Sequence, residues 1–127
     1  MEVHSITNIK NELPKLVISE AVTEEQAMAS MRILGNFNQC MMGITHFSGT
    51  TPWERHEDDE FLQVLEGTVE LLAVDKDKRT SKRLQAGECS VVPKNLWHRQ
   101  SSDGGKVMFI TSREGNQTSH EDIPRGV

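Results

Sequence analysis

Between Asn38 and Thr111 apolar residues recur at every second position in short runs, and glycine, proline or asparagine breaks each run. A period of two belongs to strands, whose side chains alternate between two faces. Cys40, Met42, Ile44 and His46 fall on one face, and Met41, Gly43, Thr45 and Phe47 fall on the other. Further strands are predicted at 61–65, 69–74, 89–92 and 106–111, with an extended segment at 97–100. The breaks lie at 48–52, at Glu66-Gly67 (read as a hairpin turn), at Ala86-Gly87, at Lys94-Asn95 and at 103–105. Many short strands with such turns predict an all-β sandwich or barrel.

Ahead of this region, Leu16-Val17-Ile18 reads as an edge strand, paired within the sheet or across a dimer. Residues 23–34 read as one short N-terminal helix. Thr23 with Gln26 has the capping-box pattern, Glu24 and Glu25 suit the positive end of the dipole, and Gly35 supplies the stop. Ala27, Met31 and Leu34 share a helical face, although a strand through 31–34 competes. From Ser112 the chain is polar without periodicity, which predicts a loosely held tail. The expected organisation is an N-terminal extension (1–35), a barrel (36–111) and a polar tail (112–127).

A chain of 127 residues suits one domain. With no tyrosine, Leu, Val, Ile and Met must fill the interior, and the six methionines fit either an irregular cavity or an ordinary core. A net charge of −5 argues against a nucleic-acid partner. The one basic cluster, 76–83, reads as a solvated hairpin loop. Cys40 and Cys89 are too few for a disulfide scaffold, no apolar signal region opens the chain, and no run reaches membrane-spanning length. The expectation is a soluble protein of a reducing compartment, the cytoplasm.

Chemistry concentrates between Glu54 and Gly67. Glu54 and His56 share a strand face, and Glu60 shares a face with Leu62 and Val64, which predicts that its carboxylate points inward. A buried carboxylate is expensive unless paired, protonated or metal-bound. His98, after the turn at Lys94-Asn95, can reach the same interior. Two imidazoles with one or two carboxylates suit one divalent transition metal, Fe, Mn, Ni or Zn, without selecting among them.

The order E-x-H-x3-E-x6-G (Glu54, His56, Glu60, Gly67), then G-x5-P-x-N-x2-H-x3-S (Gly87, Pro93, Asn95, His98, Ser102), resembles the paired motifs of the cupin superfamily. The likeness covers roughly residues 49–102, with 19 residues between the two motif glycines. It implies a double-stranded β-helix (jelly-roll) barrel, often a homodimer, with a metal held by His56, Glu60 and His98. Three residues and one spacing depart from the family pattern. Glu54 stands where the family has its first histidine, and Gly49 precedes it by one residue fewer. Glu54 is therefore a fourth metal ligand, a hydrogen-bond acceptor behind the ligands, a general base or a rim carboxylate. Asn95 replaces a glycine at a turn where asparagine tolerates the left-handed conformation, and Ser102 replaces a supporting asparagine.

Other residues carry blander expectations. Asp58 and Asp59 form a solvated loop, Cys89 shares the phase of Val91 and belongs in the core, and His4 and His120 lie in weakly patterned termini. His46 shares a face with Met42 and Ile44 and so is a candidate to line the pocket without ligating. Trp53 and Trp97 either wall the cavity mouth or pack ordinarily. The leading functional expectation is a metal-dependent enzyme acting on a small molecule by oxygenation, isomerisation or decarboxylation, with Glu54 moving the proton if it is not a ligand. The alternative is a non-catalytic module that binds or senses a small ligand or metal. Metal-free sugar-nucleotide epimerisation is disfavoured by the lack of tyrosine, and three-histidine thiol dioxygenation by the single histidine of motif one.

Overall fold

The period-two pattern forms strands, and the computed structural model, which describes residues 1–121, joins ten of them in one hydrogen-bonded network. In chain order they are β1 (Leu16–Val17), β2 (Met31–Phe37), β3 (Cys40–Thr50), β4 (Trp53–Arg55), β5 (Glu60–Glu66), β6 (Thr68–Asp75), β7 (Lys78–Gln85), β8 (Cys89–Val92), β9 (Trp97–Ser112) and β10 (Gln117–Ser119). Two short helices, α1 (Ile6–Glu12) and α2 (Glu24–Ala29), precede β1 and β2. The architecture is the all-β jelly-roll barrel that the motifs imply.

Strand β9 organises the barrel. One side pairs antiparallel with β3 and, at His98, with β4. The other side pairs first with β6 and then with β5. Strands β5 and β6 are not partners of each other, so Glu66-Gly67 is not a hairpin turn but a bend in one path running along β9. Gly67 has φ 77°, and a Cβ there would lie 3.2 Å from the Cα of Gly105. Glycine on both sides lets the two paths bend together at one corner. The expected turn at 103–105 is likewise a bulge inside β9: the β3 register shifts between Phe47 and Ser48, opposite Gly104 at φ 87°.

The basic segment is a strand rather than a loop. Only Lys76-Asp77 turn, with Lys76 at φ 56°; β7 pairs with β6 from Thr68↔Gln85 to Asp75↔Lys78. Among the described residues strand β7 has no second partner, and its exposed lysines and arginines blunt a sheet edge.

Helix α2 has the expected capping box at Thr23 and Gln26 but stops at Ala29. Met31 instead opens β2, which forms a ladder with β3. The shared face of Ala27, Met31 and Leu34 is thus split between two elements, and inter-strand pairing overrides helical spacing. Helix α1 lies in a segment with no predicted element, although Ile6, Ile9 and Leu13 have helical spacing. It is capped by Ser5 and packs Ile9 and Leu13 against Leu34 and Ile44. Strand β1 pairs in parallel with β3 of its own chain.

Alternation assigns the two faces. Phe47, Leu62, Val64, Val69, Leu71, Leu84, Val92, Val107 and Phe109 form the interior cluster, with Met31 and Met41 against it. Met42 and Met108 lie on the opposite face, under α1. His46 is there too, its Nδ1 2.9 Å from the carbonyl oxygen of Leu13, so it does not line the interior. Cys89 and Val91 are exposed, because β8 turns Val92 inward and the odd positions outward. Trp53 and Trp97 pack with Val74 in a separate cluster, beneath Arg99 and Arg55 respectively, and neither lines the cavity described below.

The polar tail is held rather than loose as far as Ser119: Ser112 is buried, and β10 pairs antiparallel with β4. The rest of the predicted tail, 122–127, lies outside the described residues. Among the described residues no helix is long and apolar enough to cross a membrane.

Candidate metal centre

Glu54 and His98 are register partners across β4 and β9. His56 follows β4 by one residue and keeps the inward phase of Glu54. Glu60 opens β5 in phase with Leu62 and Val64, and is 5% exposed. The loop between them is tied down. Asp58 accepts hydrogen bonds from the Gln39 amide at 2.8 Å and the Ser112 hydroxyl at 2.8 Å; Asp59 accepts from the Lys94 backbone at 2.9 Å. These two carboxylates anchor the loop that carries His56, a larger role than solvation.

Four side chains meet at this end of the barrel. His98 Nε2 lies 2.9 Å from Glu60 Oε1. His56 Nε2 lies 3.4 Å from Glu60 Oε2 and 3.6 Å from Glu54 Oε2. Donor atoms of Glu54, His56 and His98 all fall within 4.8 Å of one another.

The outer nitrogens of both rings define what faces inward. His98 Nδ1 lies 2.9 Å from the carbonyl oxygen of Leu96, which can only accept, so Nδ1 carries the hydrogen. His56 Nδ1 lies 2.7 Å from Asn116 Oδ1, and the Asn116 amide donates onward to the Ser112 carbonyl at 3.0 Å. In the neutral rings both Nε2 atoms therefore present lone pairs to carboxylate oxygens, and among the described residues the buried His56 Nε2 has no hydrogen-bond partner. Lone pairs facing lone pairs in a buried site require a cation, either protons on the rings or a metal. Two donors each ~2.1 Å from one ion, at angles of about 90–110°, lie roughly 3.0–3.4 Å apart. The 3.4 Å between His56 Nε2 and Glu60 Oε2 falls within that spacing and the 2.9 and 3.6 Å separations lie close to it, and outward Nδ1–H groups held by oxygens are the usual support of metal-binding imidazoles. The residues fit a metal.

Without a metal the charges compensate one another. Burial alone would lower the His98 pKa, but the hydrogen bond and charge of Glu60, with help from the Leu96 carbonyl and Glu54, leave it raised. Burial and the neighbouring Glu60 charge raise Glu54, against the opposing pull of His56 and His98.

A cavity of about 570 Å³ opens beside the cluster, reaching Glu54, His56 and Glu60. Met31, Met41, Phe47, Leu62, Val107 and Phe109 form its apolar walls, and the N-terminal extension closes one side with Ile18 and Val22. The structure brings together Glu54, His56, Glu60 and His98, and leaves His46 outside. Asn116 and His120, both in the expected tail, also line the cavity. Nothing in the Asn116-Gln117-Thr118 pattern marked it; only the general need of a ligating imidazole for an Nδ1 acceptor pointed to such a residue. Asn116→Ala is expected to weaken metal affinity about 10- to 100-fold, measured by competition with a chelator, whereas Asn116→Asp keeps the acceptor and most of the affinity.

A β-barrel enclosing a buried nitrogen–oxygen donor cluster is the class of protein that fold and site define. The family model described as Cupin domain matches residues 44–112, more than half of the chain, and the chain belongs to that family. Among solved structures, a cupin-2 domain protein from Shewanella frigidimarina is 31% identical, with TM-score 0.54, over 66% of this chain and 80% of the other. A protein from Neisseria meningitidis aligns at 23% identity and TM-score 0.62 over 87% of this chain and 100% of its own. An oxalate decarboxylase from Bacillus subtilis, studied for its Mn(II) centres, shares 13% identity at TM-score 0.53, over 58% of this chain and 21% of the other. The last two share the fold; this chain spans about a fifth of the decarboxylase. No curated protein matches the sequence.

Proposed function

We propose that this protein is a metal-dependent enzyme acting on a small molecule, with His56, Glu60 and His98 as metal ligands and Glu54 as the proton-transfer group. One observation carries the reading: two imidazole lone pairs, fixed by outward Nδ1–H bonds, converge with two carboxylates at 2.9–3.6 Å beside a cavity. A divalent ion bound there would polarise an oxygen of the substrate. The ligand types admit Fe, Mn, Ni or Zn, and the Mn(II) centres of the decarboxylase on the same fold support manganese as the first ion to test. Oxygenation, isomerisation and decarboxylation are the reaction types to survey.

The chain's own residues divide the remaining work. Asn116 and the Leu96 carbonyl hold the two rings in the ligating tautomer. The apolar walls exclude water around the substrate. Glu54 lines the cavity with its side chain 36% exposed, against 6% for Glu60, so of the two it is the better placed to exchange a proton with a bound molecule. The reading is tested by stripping the protein with chelator, restoring each ion, and following turnover and oxygen consumption over aromatic, keto-acid and sugar substrates. Turnover that returns with one ion supports it; tight ligand binding without turnover under every ion contradicts it.

Metal uptake should strengthen with pH. Ligation needs neutral imidazole, and His98 keeps its proton above the ordinary 6.5. In the metal-free protein the sign is opposite. A raised folded pKa contributes stability below the unfolded value that is lost as pH rises through the folded one. The gap in Tm between loaded and stripped protein should therefore widen as pH rises from about 6 to 8.

We also place the protein in a reducing compartment, the cytoplasm, in keeping with its two unpaired cysteines. A homodimer is supported by Phe37 and Val91, 58% and 59% exposed, which flank one outer groove with Phe61 and Ile110. Light scattering should give twice the chain mass, and Phe37→Asp with Val91→Asp should halve it.

A further inference from the structure

We infer that the cavity takes a neutral, mainly apolar small molecule carrying a hydroxyl or amide group, rather than a carboxylate dianion such as oxalate. The inference rests on the cavity being the substrate site of the proposed enzyme and names the class of molecule it admits.

Charge is the first observation. Among the described residues that line the cavity there is no lysine or arginine, while Glu20, Glu54 and Glu60 all face it. Anionic substrates are ordinarily held by a fixed cation, most often a bidentate arginine. Two carboxylates at the centre also match the charge of one divalent ion, so little net positive charge remains for a second anion. An oxalate dianion would enter an apolar chamber lined with carboxylates and would lose its hydration without a fixed counter-charge.

Polarity is the second observation. Gln100 and Thr111 both line the cavity from β9, and among the described residues Gln100 Oε1 and Thr111 Oγ1 have no hydrogen-bond partner, each enclosed just behind the cavity wall. Thr111 is 7% exposed and continues the inward phase of Val107 and Phe109. Buried polar atoms are seldom left unpaired, and here the walls around them are Met31, Met41, Phe47 and Leu62. The amide oxygen of Gln100 can only accept, so with its side chain rotated toward the cavity it calls for an O–H or N–H on the ligand; the Thr111 hydroxyl, rotated likewise, accepts or donates. The ligand this describes is an apolar body with a neutral hydrogen-bonding group. The volume of about 570 Å³ lies in the ordinary range for small-molecule pockets.

The test uses four probes: 2-phenylethanol, its charged analogue phenylacetate, its apolar analogue ethylbenzene, and oxalate. Affinities are read by ligand-detected NMR and calorimetry on chelator-stripped and on metal-loaded protein, with metal content measured on the same samples. 2-Phenylethanol should bind at least about tenfold more tightly than phenylacetate, and oxalate more weakly than either neutral probe, in both forms. Gln100→Leu or Thr111→Val should reduce 2-phenylethanol affinity about five- to tenfold and leave ethylbenzene unchanged, which also reports an intact cavity.

Equal or tighter binding of phenylacetate or oxalate would overturn the inference. So would the absence of neutral-probe binding at millimolar concentration, or a loss in the variants that ethylbenzene shares. The two readings fail separately. Stoichiometric metal with a preference for anions sinks the substrate class and leaves the metal centre standing. A preference for neutral probes in a protein that takes up no metal sinks the metal centre and leaves the substrate class.

Discussion

Glu54→Gln is expected to keep its metal and to lose turnover by about 10²- to 10⁴-fold, the usual contribution of a positioned proton-transfer group. Gln preserves the shape and can still donate or accept a hydrogen bond, but it cannot take a proton. Glu54 lies at the open side of the cluster, with its Oε2 3.6 Å from His56 Nε2, whereas Glu60 touches both rings from a buried position. Turnover per bound ion is the quantity to measure. If metal affinity falls in step with activity, and saturating metal restores the rate, Glu54 is a fourth ligand and the proton must move elsewhere.

His98→Ala should destabilise the metal-free protein by about 3 kcal/mol, lowering Tm by roughly 10 °C. His98 is 1% exposed, and removal of its imidazole leaves the buried Glu60 carboxylate with only His56 at 3.4 Å. Most of the expected loss is the cost of a buried charge deprived of its nearest partner, with a smaller part from the cavity left behind. Replacing both partners by apolar residues, Glu60→Leu with His98→Leu, should return stability to within about 1 kcal/mol of the original while leaving no metal site. Urea unfolding of the stripped proteins checks both. A single variant as stable as the parent would contradict the expected cost of stripping the buried carboxylate of its partner.

Much of this was legible in the residues, for a physical reason. The inward phase of Glu60 follows from Leu62 and Val64, since a strand cannot bury two alternate residues and expose a third in the same phase. The common face of Glu54 and His56 follows likewise, and His98 was found through the spacing of the second motif. What misled was local pattern without partner. Glu66-Gly67 has the chemistry of a hairpin, but whether two successive strands pair or run end to end along β9 is decided by long-range register. The β8 phase failed similarly, because Cys89 and Val91 look apolar, yet only Val92 has interior neighbours. Asn116 was invisible because its role comes from the pairing of β10 with β4, a contact between segments about sixty residues apart.

The central claim is that the four side chains converge in order to hold a metal. Chelator-stripped protein and the His56→Ala/His98→Ala double variant should be dialysed against Mn(II), Fe(II), Ni(II) and Zn(II) in turn, and the bound metal counted by elemental analysis. The original chain should retain one ion per chain and the double variant none. An ion retained by the double variant in the same proportion, or none retained by the original chain under any of the four metals, would contradict the account.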